Sequence, residues 1–239
     1  ISYNSLVWTK QANTMVFDAD SANVSPGFRF GFSTIEPAYY DSQTGRFAYL
    51  MVTPSGARVE FKQTAASDIY ETTDSSYTQL RVKGNDDPNT PPEDLSITVT
   101  TTDGTQMSYD WKAGAYRCSQ IKDSNGNYIT IEHDNQGLLK KVTDTLGRII
   151  TVNYDAQLDP VSIKQTWQSG NGEGSNVEHT WASFTYGTVS INADFGTMGR
   201  MGPQNNTTLK VLNKISYADN SSTRFDYNSY GQVWGISNY

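Results

Sequence analysis

Few side chains in this 239-residue chain have the chemistry for catalysis or metal binding: it holds two histidines, one cysteine and 25 carboxylates. His133 is preceded by Glu132 and followed by Asp134, a set that could supply a general base and the group that orients it. We nevertheless expect His133 to be structural, because aromatic residues fill its position in other copies of a repeat described below. His179 is expected to pack on a strand or on the surface. With Cys118 as the one thiol, a His/Cys zinc site has almost no ligands to draw on.

Closely spaced carboxylates and glycines give the remaining candidates. Calcium-like spacings occur at Asp123-x-Asn125-x-Asn127 and Asp18-x-Asp20, and an acidic loop holds Asp86, Asp87, Glu93 and Asp94. Neither spacing continues with the Gly at position 6 and the Glu at position 12 of an EF-hand loop. Gly170-x-Gly172-x-Gly174 lacks the flanking strand and helix of a phosphate-binding loop, and Asp194-Phe195-Gly196 lacks the partners of a kinase triplet. We therefore predict no enzymatic activity, no cofactor, and no catalytic, cofactor-binding or metal-binding residue. An all-β glycosidase with two facing carboxylates is the enzyme alternative left open.

Composition favours an all-β protein without nucleic-acid or membrane partners. Aromatic residues make up 12% of the chain and charged residues only 18%, and Tyr, Thr, Val and Ile favour half-buried pleated surfaces. The net charge of −7 argues against non-specific binding to nucleic acid, which needs many phosphate-neutralising side chains. No apolar run approaches the roughly 20 residues of a membrane-spanning helix.

An internal repeat is the most informative feature of the sequence. Residues 121–134 match residues 142–155 at a spacing of 21 positions, with coinciding pairs such as Asp123/Asp144, Gly126/Gly147, Ile131/Val152 and His133/Tyr154. Self-similarity at a fixed spacing indicates one supersecondary unit stacked on copies of itself. A third copy lies at residues 224–233, and fainter echoes begin near residues 40, 53 and 103.

The first two copies each contain an Asp-x-x-Gly segment, which is typical of a tight turn with Asp in the first position and Gly in the last. Such segments start at Asp123, Asp134 and Asp144, so successive turns are 11 and 10 residues apart. A short strand then fits between turns, with Ile129, Ile131 and His133 on one face. Reversals at this spacing predict an antiparallel meander of stacked β-hairpins.

These residues resemble the RHS/YD-repeat family, whose repeat unit carries a tyrosine–aspartate pair before a turn that ends in glycine. Residues 224–233 match the family pattern at Arg224, at both aromatic positions and at the turn Gly231, while Asn228 replaces the aspartate. Two departures occur in the other copies: Leu158 stands where glycine should close the turn, and His133 replaces tyrosine.

The resemblance implies an open or spiralling all-β shell segment rather than an enzyme. In this family, repeated hairpins form a hollow shell that encloses a toxin or another effector, and teneurins use a similar shell for adhesion. We therefore expect a non-catalytic scaffold segment of a bacterial protein that is secreted or displayed at the cell surface. Its expected partners are other copies or further repeats through sheet edges, together with an enclosed effector, without nucleic-acid binding or membrane insertion.

The predicted organisation has two parts. Residues 1–95 form an irregular β-rich capping region, and residues 96–239 form the hairpin-repeat region with a loop insertion at 168–208. The first residue, Ile1, suggests a piece of a longer protein. The alternative is an extracellular binding or adhesion module for carbohydrate or protein, which would use exposed aromatic residues. Most of the five tryptophans are expected in the core: Trp8, Trp111, Trp167, Trp181 and Trp234.

Overall fold

The computed structural model describes residues 1–17, 24–84, 90–168 and 176–239, and within these ranges the regular structure is β-strand apart from one 3₁₀ turn at Pro92–Asp94. The strands, numbered in chain order, are β1 Ser2–Tyr3, β2 Trp8–Gln11, β3 Thr14–Phe17, β4 Phe28–Arg29, β5 Thr34–Ile35, β6 Tyr39–Asp41, β7 Arg46–Val52, β8 Arg58–Gln63, β9 Ile69–Thr72, β10 Gln79–Lys83, β11 Ser96–Thr100, β12 Gln106–Lys112, β13 Ala115–Lys122, β14 Tyr128–His133, β15 Leu139–Asp144, β16 Ile149–Tyr154, β17 Pro160–Gln168, β18 Asn176–Ser190, β19 Gly199–Met201, β20 Thr208–Tyr217, β21 Ser222–Tyr227 and β22 Val233–Asn238. The prediction of an all-β protein with antiparallel strands is confirmed.

The chain forms two compact units, one of residues 31–149 and one of residues 1–30 together with 150–239. Residue 95, where the sequence predicts the boundary between a capping region and a repeat region, lies within the first of these units. Strands β10 and β11, on either side of that position, pair over five residues within the first of the two units. The range 168–208, expected as a loop insertion, contains the fifteen-residue strand β18 and the short strand β19.

In the unit of residues 31–149, every strand from β6 to β15 pairs antiparallel with the next one along the chain. The two-residue strand β5 pairs with both β7 and β13, so that eight strands, β5 and β7–β13, close into a barrel. A barrel of about eight strands is just wide enough for side chains to fill. Large buried side chains do so here: Tyr49, Phe61, Tyr70, Leu80, Ile97, Tyr109 and Tyr116.

In the other unit, β17, β18, β20, β21 and β22 pair antiparallel in that order. The N-terminal segment packs against this sheet, since the Phe28 ring lies 4.9 Å from that of Phe225 and the Leu212 N–H donates to the Ser25 hydroxyl. A smaller sheet joins β2, β3 and β19. Beside it, the Trp8 indole N–H donates to the Tyr230 carbonyl at 2.8 Å.

Among the described residues, the predicted turn occurs in five copies, at 123–127, 134–138, 144–148, 155–159 and 228–232. In each copy the first side chain accepts hydrogen bonds from the backbone N–H groups two and four residues later, at 2.9–3.0 Å. In each copy the fourth residue also donates its N–H to the carbonyl of the first. Its φ is positive in every case, including Leu158 at 68°. The copy at 155–159 therefore forms the turn without the glycine expected there.

Candidate binding surface

His133 lies on β14 and is half-buried, at the position that the repeat predicts. Burial is the main cause that lowers its pKa to about 4, and the nearby Arg117 lowers it further. An imidazole with so low a pKa is a weak base near neutral pH. The neighbouring Asp134 uses its Oδ1 atom to accept two backbone N–H groups of its turn. The two side chains therefore serve packing and turn formation.

Turn formation also explains the calcium-like spacing at Asp123. The Asn127 side-chain amide donates to Asp123 at 2.8 Å, and the backbone N–H groups of Asn125 and Asn127 donate to its other oxygen. These bonds, above all that of the Asn127 side chain, hold the pKa of Asp123 below its usual range. Within the described ranges there is no cluster of three or more His, Cys, Asp or Glu side chains that could hold a metal ion. Asp18, Asp20, Asp86, Asp87 and the glycines at 170–174 lie outside the described residues.

Two carboxylates do come together beside the turn at 155–159, but a lysine holds both. The Lys210 ammonium lies 3.8 Å from Asp155, forms a hydrogen bond with Asp159 and stands 4.9 Å from the centre of the Tyr186 ring. A pair of carboxylates for glycoside hydrolysis needs room for a sugar between its members. Here the ammonium bridges the two groups instead.

Asp194-Phe195-Gly196 also has a structural explanation. The Phe195 ring packs 4.7 Å from that of Trp8, and the Asp194 carboxylate accepts the Gly196 N–H at 2.9 Å. The triplet therefore closes a turn over an aromatic cluster.

The tryptophans depart from the expectation that most lie in the core. Trp8 is buried and Trp111 is partly exposed, but Trp167, Trp181 and Trp234 are 41%, 48% and 72% exposed. Two of these three lie on the hairpin of β17 and β18, and a histidine lies between them. Exposed aromatic side chains in such a group are the strongest candidate for binding in the described part of the chain.

The register of β17 and β18 places these aromatic residues on one face of the hairpin. Gln165 is paired with His179, and Trp167 with Val177, so all four side chains point to the same side. Ile163 is paired with Ala182 and Lys164 with Thr180, which leaves Trp181 as the extra residue of a β-bulge. A bulge redirects the side chain that it carries. The Trp181 indole lies on the same side as His179, since their rings are 4.5 Å apart.

The rings of this aromatic face, defined as Gln165, Trp167, Val177, His179 and Trp181, are in mutual contact. The His179 ring lies 5.8 Å from that of Trp167 and 4.5 Å from that of Trp181, in a near-perpendicular arrangement with Trp181. The Trp181 indole N–H donates to the Gln165 side-chain oxygen at 3.0 Å. This bond fixes the orientation of an indole that is half exposed to solvent.

The opposite side of the hairpin is charged. Lys164 and Glu178 form an ion pair across the two strands at 2.6 Å. The hairpin therefore has one aromatic face without acidic, lysine or arginine side chains and one polar face. Sequence reasoning noted His179 beside Trp181 but assigned both to packing. The alternation Val177-x-His179-x-Trp181 and the pair Gln165-x-Trp167 were the signal that could have grouped them.

Comparison with known proteins adds no assignment. No protein-family model matches the chain, and no curated protein matches it. Among the residues that the structure describes, no helix is long and apolar enough to cross a membrane.

Proposed function

We propose that this chain is a non-catalytic structural shell or scaffold segment of an RHS/YD-repeat protein, of the kind that encapsulates or presents a toxin or effector. One observation carries the proposal: within the described residues, the same capped turn recurs five times, each time between two consecutive strands. A recurring unit with a constant turn is the basis on which repeat proteins extend a wall of sheet.

Sheet edges supply the partners in this proposal. A hairpin leaves backbone groups unpaired on each side, and the next hairpin covers one of them. The last strand, β22, presents Trp234 and Ile236 at 72% and 60% exposure. Apolar side chains at that position support contact with further repeats or with another copy of the chain.

Charge bears on the nucleic-acid part of the proposal. With 25 acidic against 18 basic side chains, the chain has little means to neutralise phosphates, so nucleic acid is not a proposed partner. The proposed location is outside the cell or at its surface. An effector held by the shell is the second proposed partner.

The test is to identify the native protein that contains this segment. Antibodies against the 26.5 kDa chain are used to recover it from culture supernatant and cell surface, and its full sequence is read by mass spectrometry and gene sequencing. We expect a longer protein with further capped hairpins and an unrelated domain, which resists protease until the repeats are cleaved. A native protein without further repeats, or one found only in the cytoplasm, would refute the proposal.

A further inference from the structure

A structural wall does not explain why the aromatic face of β17 and β18 is exposed to solvent. Large apolar side chains in a sheet normally pack against a core, yet Trp167, Val177 and Trp181 are 41%, 39% and 48% exposed. The same hairpin keeps its ion pair of Lys164 and Glu178 on the other side. The hairpin thus holds three ring systems together and in contact with water.

We propose that this face binds a neutral carbohydrate, with pyranose rings stacked on the indoles of Trp167 and Trp181. The inference is independent of the shell proposal, because it depends only on the geometry of one hairpin. A pyranose offers an apolar face of C–H groups and a rim of hydroxyls. The apolar face suits an indole, and the rim suits side chains that donate and accept hydrogen bonds.

The spacing of the rings fits more than one sugar unit. His179 lies between the two indoles, at 5.8 Å and 4.5 Å from them, so the indoles are separated but at most about 10 Å apart. The imidazole fills the space in which a cation would sit within an aromatic cage. Two separate stacking positions at this distance are instead suited to neighbouring rings of an oligosaccharide.

Charge selects among ligands that stack on aromatic rings. None of the five residues of the aromatic face is acidic or is a lysine or arginine, whereas single-stranded nucleic acid requires basic side chains along its backbone. A neutral face in a chain with a net charge of −7 is complementary to a neutral polymer and not to a polyanion.

Size argues against a second copy of the chain or another protein as the ligand. A tryptophan side chain offers up to about 250 Å². At 41% and 48% exposure the two indoles therefore provide of the order of 200 Å². A stable protein–protein interface needs roughly 800 Å² on each partner. The face is large enough for two or three sugar rings and too small for a protein partner.

Part of the side-chain entropy that binding would remove is already lost in the free protein. The Trp181 indole donates a hydrogen bond to Gln165, and its ring contacts that of His179. These contacts restrict the Trp181 and Gln165 side chains before a ligand arrives. Restricting a side chain in advance removes an entropy cost from binding. Hydroxyl groups of the sugar can then bond to the side-chain amide of Gln165 and the imidazole of His179, since both residues are partly exposed.

The experiment is affinity electrophoresis of the whole chain in gels that contain hydroxyethyl cellulose, β-1,3-glucan, xylan or galactomannan, with polygalacturonate as an anionic polymer. We expect at least one neutral polymer to retard the protein and polygalacturonate not to do so. Trp181→Ala and Trp167→Ala should each weaken that retardation about tenfold, because each removes one stacking surface. Trp181→Phe keeps a ring and should retain most of the binding.

Tyr239→Ala is the matched control, since Tyr239 is an aromatic residue 73% exposed in the same unit but lies outside the hairpin of β17 and β18. It should change binding less than twofold. The proposal is overturned if no neutral polymer retards the chain, or if Tyr239→Ala weakens binding as much as Trp181→Ala. It is also overturned if the folded Trp181→Ala variant binds the polymers as well as the parent does. The same holds if sedimentation shows that the only effect of Trp181→Ala is to convert a dimer of the chain into monomers.

Discussion

Replacing Asp134 by alanine and by asparagine separates the two ways in which a turn aspartate could act. The Asp134 side chain accepts the backbone N–H groups of Gln136 and Leu138, both at 2.9 Å. Alanine removes this acceptor, whereas asparagine keeps an oxygen at the same place and removes only the charge. The turn at 228–232 already uses asparagine, since Asn228 accepts two backbone N–H groups at 2.9 and 3.0 Å.

The expected magnitudes follow from the two hydrogen bonds. Gln136 is exposed, so water can replace the carboxylate there, but Leu138 is only 8% exposed and its N–H has poor access to water. A net value near 1 kcal/mol for a hydrogen bond then gives a loss of about 1–2 kcal/mol for Asp134→Ala. Asp134→Asn loses only a 3.9 Å ion pair with Lys140, which costs less than about 0.5 kcal/mol because the pair is exposed.

Urea unfolding at pH 7, followed by tryptophan fluorescence, measures both changes. In thermal unfolding of a chain of this size, we expect the alanine variant to melt about 2–8 °C below the parent and the asparagine variant to melt within about 1–2 °C of it. Asn228→Ala should behave like Asp134→Ala, and Asn228→Asp should be nearly neutral. If Asp134→Asn were as damaging as Asp134→Ala, the charge and not the acceptor would stabilise the turn, and the equivalence of the five turns would fail.

Three further predictions concern the same repeat. Gly147→Ala should cost about 1 kcal/mol because φ is 77° there. Gly137→Ala should cost about 1 kcal/mol more in urea unfolding, because its added Cβ would displace the Arg117 guanidinium from the Lys112 carbonyl, to which Arg117 donates at 3.2 Å. The pKa of His133 is lowered to about 4 in the folded protein from about 6.5 in the unfolded chain. The contribution of the neutral imidazole to stability is therefore present above about pH 6.5 and is lost as the pH falls through 4. His133→Tyr should remove that component of a stability–pH profile, and an unchanged profile would contradict the assignment. The Arg148 backbone N–H and side chain hold the pKa of Asp144 below its usual range, so its stabilisation is present above about pH 4 and is lost on further acidification. Asp144→Asn should flatten this acid limb in denaturation midpoints measured between about pH 5 and pH 2, and a slope equal to the parent's would count against it.

The turns could be predicted from sequence because their determinants are local. An aspartate that accepts its own downstream N–H groups and a glycine with positive φ are both visible within five residues. The exception at Leu158 shows the limit of that reasoning. The flanking strands and the Asp155 side chain impose the same backbone on a leucine, at φ 68°, although this region disfavours leucine.

The closure of the barrel could not be predicted, because its key strand has almost no sequence signal. Strand β5 consists of Thr34 and Ile35, yet it pairs with Met51 and Val52 on one side and with Tyr116 and Arg117 on the other. Two residues are too few to show alternation. Their second partner lies about 80 positions away in the chain, so local propensity carries no information about the pairing.

The aromatic face was visible as a pattern and still could not be placed. Val177-x-His179-x-Trp181 has the period of a strand with one apolar face, and that pattern is the same whether the face meets a core or meets water. What decides between the two is the cover provided by other segments of the folded chain. Exposure of Trp181 is therefore a property of tertiary structure, and mutation of this residue is the most direct test of whether that exposure serves a ligand.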